Sequence, residues 1–236
     1  MEVHHHSHAH GAKNWKSYIW EFLMLFLAVL CGGLAEYYLE HKIEHDREKQ
    51  YIKSLVADLK NDTSNIAATF KAFEMQQPYF DTVNLMMHTI QKGYNPSLML
   101  ALKKTLGYKD FVPTDKTLQQ LKNAGNLRLI SYTNVTDSIA NYDLLIKKFN
   151  ITSGDAQTQF LKVWEDYQTL IYTNYKDSAE LKTKFLLSKT ESDFKKYHNH
   201  IQNDLLLRGV YKRRLTELLV SNKNLLALIK KEYEIE

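Results

Sequence analysis

The chain has 236 residues, 44% of them hydrophobic and 25% charged, with a net charge of +4. That length allows one domain or two small ones, and a charge this mild, with no basic tail, gives no reason to expect nucleic acid as a partner. One cysteine, Cys31, excludes an intrachain disulfide, and eight glycines and three prolines leave few breakers, so an all-α protein with long helices is expected rather than a many-stranded sheet.

Residues 1–17 form a histidine-rich tail containing His4, His5, His6, His8 and His10. Clustered imidazoles bind Zn²⁺, Ni²⁺ or Cu²⁺. A tail of this kind fixes no coordination geometry by itself, so a metal-specific role needs ligands from elsewhere. The plainer reading is a polar, pH-sensitive tail.

Residues 18–39 read as a transmembrane helix. The uninterrupted apolar stretch, 22–35, covers only about 21 Å at 1.5 Å per residue. With its flanks the segment reaches about 33 Å, enough for a hydrocarbon core of about 30 Å. Trp15, Tyr18 and Trp20 mark one edge, and Tyr37 and Tyr38 the other, as in an interfacial aromatic belt. Glu21 and Glu36 fall near the two headgroup levels, where a carboxylate costs far less than at the centre. Two competing readings are a cleaved signal peptide and a lipoprotein signal ending at Cys31. Leu30, where a lipoprotein signal carries a small residue, and the helical continuation after Ala35 favour a retained anchor.

One face of this segment stands apart. At 100° per residue, Glu21, Leu25, Ala28, Gly32, Ala35 and Glu36 share about a third of the circumference. Ala28 and Gly32 make a small-xxx-small pair that lets another helix approach closely. This face is the expected site of packing within the membrane, against a second copy or another membrane protein. Lys13 and Lys16 precede the span, and Lys42, Arg47 and Lys49 follow it, so the positive-inside bias is nearly balanced. A short N-terminal tail ahead of a long C-terminal domain favours placing that domain outside the cytoplasm, in the periplasm.

Residues 40–92 continue the helical period as a stalk. Ile52, Leu59, Ile66, Phe73, Phe80 and Met87 recur every seven residues, a seam for another helix within the chain or from another subunit. Asp62 and Thr63 interrupt it. Pro78 predicts a kink or restart near Gln77, and Gly93 a stop. His41 and His45, four apart, share a face and offer two ligands to one metal, with Glu44 and Glu48 near. A closed zinc site needs four ligands, and Glu40, Lys42 and Arg47 fit an ordinary solvated charged face instead.

Residues 93–236 read as an antiparallel helical bundle packing on the stalk. Short helices are expected at about 97–106 and 115–124, ending at Gly107 and Gly125. One longer helix is lined by Ile139, Tyr142, Leu145, Ile146 and Phe149. A second, opened by Ser153, is lined by Phe160, Trp164, Tyr167, Ile171 and Tyr175. Thr190 with Asp193 resembles a capping box and opens a third, with Phe194, Tyr197, Ile201 and Leu205. Leu215, Leu218, Asn222, Leu225 and Ile229 line the last. Arg208, Lys212, Arg213 and Arg214 read as a solvated basic face, or as a patch for lipid headgroups or an acidic partner. His198 and His200 fall on opposite sides of their helix.

The histidine cluster followed by Asn14-Trp15-Lys16-Ser17-Tyr18-Ile19-Trp20-Glu21-Phe22-Leu23 resembles an uncharacterised family of single-pass membrane proteins from Bacteroidota. The stretch from Thr117 to Ile130 is similar to that family's mid-domain motif. The match covers roughly residues 4–60 and 111–146. The resemblance implies a membrane anchor, a helical domain and a bacterial inner-membrane location; it implies no activity.

No phosphate-binding glycine loop, serine elbow or Cys/His zinc pattern is present, and no catalytic constellation stands out. The expectation is a non-enzymatic, membrane-anchored interaction or scaffold protein that needs no cofactor. The alternative is transition-metal binding or sensing through His4, His5, His6, His8, His10, His41 and His45.

Overall fold

A computed structural model describes residues 14–107, 109–171, 184–187 and 190–235. Its α-helices are α1 (Trp15–Met86), α2 (Pro96–Thr105), α3 (Lys116–Asn123), α4 (Thr133–Leu170) and α5 (Glu191–Tyr233). Turns of 3-10 helix occupy Met87–Lys92 and Asn126–Leu129. Among the described residues there is no β-strand, only one antiparallel bridge between Ile171 and Leu186. The all-α expectation holds.

α1 is one helix of 72 residues and runs through Pro78, so the restart expected near Gln77 does not occur. An internal proline costs about 3 kcal/mol or more. Phe73, Phe80 and Val83 are buried around it, and each such side chain contributes roughly 1.5–3 kcal/mol on burial. Packing therefore outweighs the lost backbone bond. The chain tightens into 3-10 helix at Met87 and stops at Gly93.

The chain divides into two compact units, Met1–Gln50 and Tyr51–Glu236. The segment read as a stalk, 40–92, is thus shared between them. In the first unit α1 carries its side chains outward: every residue from Tyr18 to Ile43 is exposed.

The second unit makes four passes. α1 from Tyr51 is the first. α2, the segment 106–115 and α3 together form the return pass: the Gln76 side chain donates to the Gly107 carbonyl at 2.7 Å, and Asn61 donates to the Thr114 hydroxyl at 2.8 Å. α4 runs parallel to α1, with Tyr142 beside Asp62 and Val163 in the same apolar cluster as Val83. α5 runs back, from Gln202 beside Asn84 to Asn222 beside Thr63. A Cβ at Gly107 would stand 2.4 Å from Gln76 Nε2, so a side chain there would displace the Gln76 amide from the Gly107 carbonyl. Gly125, at φ 66°, makes the left-handed turn that ends α3.

α4 and α5 each replace two of the expected helices. Ser153 does not open a helix; it lies inside α4, and its hydroxyl sits 2.8 and 2.9 Å from the two Asp110 carboxylate oxygens. Serine and glycine at 153–154 weaken a helix by only about 1 kcal/mol or less each, and Phe149 and Ala156 are buried on either side. Tyr175, assigned to that expected helix, lies outside the described residues. α5 does begin after Thr190, whose hydroxyl bonds the Asp193 carboxylate rather than a backbone N–H. It then continues past Leu205 without a break to Tyr233, held by the Asp204–Arg208 pair one turn apart and by buried Tyr211.

Two apolar clusters fill this unit. One joins Ile52, Leu59, Ile66 and Phe73 of α1 to Leu118 and Leu121 of α3, Ile139 and Ile146 of α4, and Leu215, Leu218, Leu225 and Ile229 of α5. The other joins Val83, Met87 and Ile90 to Leu98 and Leu102 of α2, Val163 and Leu170 of α4, and Phe194, Tyr197 and Ile201 of α5. All six residues of the seven-residue seam are buried, so the seam meets partners within this chain.

Candidate functional site

The apolar stretch of the first unit is a surface that aqueous monomers rarely leave bare. An 18-residue window of this helix has a mean hydropathy of 1.9, and none of it is buried. By length and composition the helix is able to cross a membrane. Phe22, Leu25 and Val29 are 68%, 68% and 76% exposed, whereas soluble monomers rarely show contiguous apolar patches beyond a few hundred Å². Trp15, Tyr18, Trp20, Tyr37 and Tyr38 are exposed at its two ends.

Glu21, Leu25, Ala28, Gly32, Ala35 and Glu36 all lie within α1 and all are exposed. A Cβ at Gly32 would meet nothing within 4 Å. The helix backbone is therefore open to close approach at the small-residue pair. Cys31 is exposed beside it.

Among the described residues the histidines do not converge. His4, His5, His6, His8 and His10 lie outside the described residues. His41 stacks on Tyr37, with ring centroids 6.4 Å apart. His45 Nδ1 lies 3.4 Å from Glu48 Oε2. Among the described residues no group of three or more His, Cys, Asp or Glu side chains is placed to hold a metal. His198 lies 3.3 Å from the Gln202 amide. His200 pairs through Nδ1 with Asp166 of α4, whose other oxygen takes Lys196 at 3.1 Å. This cross-helix cluster was not foreseen, because Asp166 and His200 are far apart in sequence.

The expected basic face also comes apart. Arg208 is buried, 2.7 Å from Asp204, and its guanidinium stands 4.7 Å from the Phe80 ring centroid. Arg214 pairs with Glu217 at 2.8 Å. Burial pushes the Asp204 carboxyl above its ordinary value, and Arg208 offsets part of the rise.

Asp62 and Thr63, which interrupt the seam, belong to a polar network inside the bundle. Asp62 accepts bonds from the Thr114 backbone N–H and the Tyr142 hydroxyl, each at 2.8 Å. Asn222 donates to the Tyr142 oxygen at 3.1 Å and lies 3.0 Å from the Thr63 hydroxyl. Burial raises Asp62, more than the bonds from Thr114 and Tyr142 lower it, and Asp58 adds to the rise. Burial, with Asp62 adjacent, holds the Tyr142 hydroxyl protonated far above the ordinary tyrosine range. Asp58 accepts from the Thr117 N–H at 3.3 Å, placing a carboxylate at the N-terminus of α3. These groups satisfy one another and tie four passes together.

No protein-family model matches the chain, and neither a curated protein nor a solved structure matches it.

Proposed function

We propose that this is a non-enzymatic, membrane-anchored interaction protein of the bacterial inner membrane. Its N-terminal helix spans the bilayer and packs against a second copy or another membrane protein. The helical unit lies on the periplasmic side, where it presents a docking surface. The observation that carries the reading is the fully exposed apolar stretch of α1, bounded by aromatic rings. The face with Ala28 and Gly32 supports helix packing, because small residues let two backbones approach. The mutually satisfied network around Asp62 supports a structural role for the bundle.

The test is association in native membranes, by crosslinking through Cys31 and by mass measurement of the detergent-solubilised chain. Gly32→Leu is expected to reduce the crosslinked species about tenfold, the equivalent of about 1.4 kcal/mol of lost packing. A chain that is monomeric in detergent and yields no crosslinked partner in its membrane overturns the reading. Protection of the C-terminal unit from protease added to spheroplasts overturns the periplasmic placement.

A further inference from the structure

Between α1 and α5 lies a cavity of about 200 Å³, lined by Phe73, Gln77, Phe80, Leu205, Arg208, Gly209 and Lys212. Its charge is one-sided. Arg208 is matched by Asp204 at 2.7 Å, but Lys212 has no carboxylate within 4 Å among the described residues; its ammonium stands 5.4 Å from the Phe73 ring centroid. Arg208 uses Nε for Asp204, Nη1 for Gln76 at 2.9 Å and Nη2 for the Gly107 carbonyl at 3.3 Å. A guanidinium has five N–H donors, so two remain. These bonds hold the buried head group in one orientation, set before anything binds. Among the described residues no carboxylate pairs with this excess positive charge, while Phe73, Phe80 and Leu205 give the same cavity apolar walls.

We propose that this cavity binds a small organic carboxylate. The anion would sit with Lys212 and the spare donors of Arg208, and a short hydrocarbon part would lie along the phenylalanine and leucine side chains. Size limits the class. The cavity has the liquid volume of about seven water molecules and is smaller than the roughly 300–1,000 Å³ of sites for drug-sized ligands. A nucleotide or flavin would extend well outside it. Gly209 adds no side chain to the wall, and a Cβ there would meet nothing within 4 Å, so access is open on that side.

Butyrate is the probe, titrated into the full-length protein in detergent and followed by ligand-observed NMR. Its six heavy atoms are expected to give a Kd on the order of 1 mM. Lys212→Gln is expected to weaken binding about tenfold or more. Gly209→Leu, which improves helix propensity, is expected to fill the opening and abolish binding without lowering the melting temperature. The proposal is overturned if butyrate fails to bind at 20-fold above that concentration, if both variants bind it as the parent does, or if 1-butanol binds equally well. The last result would mark an apolar hole without anion selectivity. None of these outcomes depends on how the membrane helix associates.

Discussion

Asp143 and Asp62 are both largely buried aspartates of one bundle, yet their surroundings drive them in opposite directions. Burial alone would raise Asp143, but Lys122 at 2.8 Å and Lys147 at 2.9 Å outweigh it and hold the carboxyl below its ordinary value. At Asp62 no cation among the described residues is paired with the carboxylate, and burial wins. The pH consequences follow by linkage. A lowered folded-state pKa contributes stability above the unfolded value of 3.8 and loses it as pH falls through the folded value. Asp143→Asn is therefore expected to cost roughly 1 kcal/mol at pH 7, and the gap to the parent should close as pH drops below that value. Denaturant unfolding at pH 7 and pH 3 checks this; an unchanged gap would mean that Asp143 acts through packing instead. Asp62 contributes the other way, its ionisation becoming less of a burden as pH falls. The sequence marks Asp62 and Thr63 as a flaw in the apolar seam, which they are, but it does not show that Tyr142, Asn222 and Thr114 complete them. Those partners lie 52 to 159 residues away. Arg208 departs from expectation for the same reason: in sequence it groups with the nearby basic residues Lys212, Arg213 and Arg214, while Gln76 and Phe80 become its surroundings only on folding.

Helix ends follow the legible signals where the backbone itself demands them. Asn95 caps α2 by accepting from the Ser97 and Leu98 N–H groups, and Gly125 supplies a left-handed turn after α3. Both short helices were readable for that reason. The signals mislead where a residue type suits a cap but finds a tertiary partner instead, as Ser153 does with Asp110. The restart expected at Pro78 fails similarly, since buried neighbours hold the helix on both sides. The continuity of α4 can be tested at Gly154, which is exposed and whose added Cβ would meet nothing within 4 Å. If α4 is one helix there, Gly154→Ala should stabilise by about 0.4–1 kcal/mol. Each kcal/mol corresponds to roughly 2–4 °C in a domain of this size. Scanning calorimetry of the full chain reads the shift. A fall in melting temperature would mean that the backbone at 154 is not helical and that two helices meet near Ser153.

For the molecule as a whole, the distribution of apolar surface decides how the two units should behave when separated. The unit from Tyr51 onward encloses two apolar clusters and draws on four passes for them, all from residues at or after Tyr51. The buried network around Asp62 is satisfied by groups of the same unit. The earlier unit is one helical segment whose apolar side chains are exposed from end to end. An isolated helix gains nothing from apolar side chains left in water, whereas a lipid environment favours them. Residues 51–236 alone are therefore expected to stay in solution without detergent and to unfold in one cooperative transition. The full chain should instead sediment with membranes and resist extraction by high salt. Ultracentrifugation of both, with circular dichroism melts of the shorter chain, tests the pair of statements together. Aggregation of 51–236, or a melt without a sigmoidal transition, would show that the helical unit depends on residues before Tyr51. Release of the full chain by salt would show that the apolar stretch of α1 is covered by protein rather than by lipid.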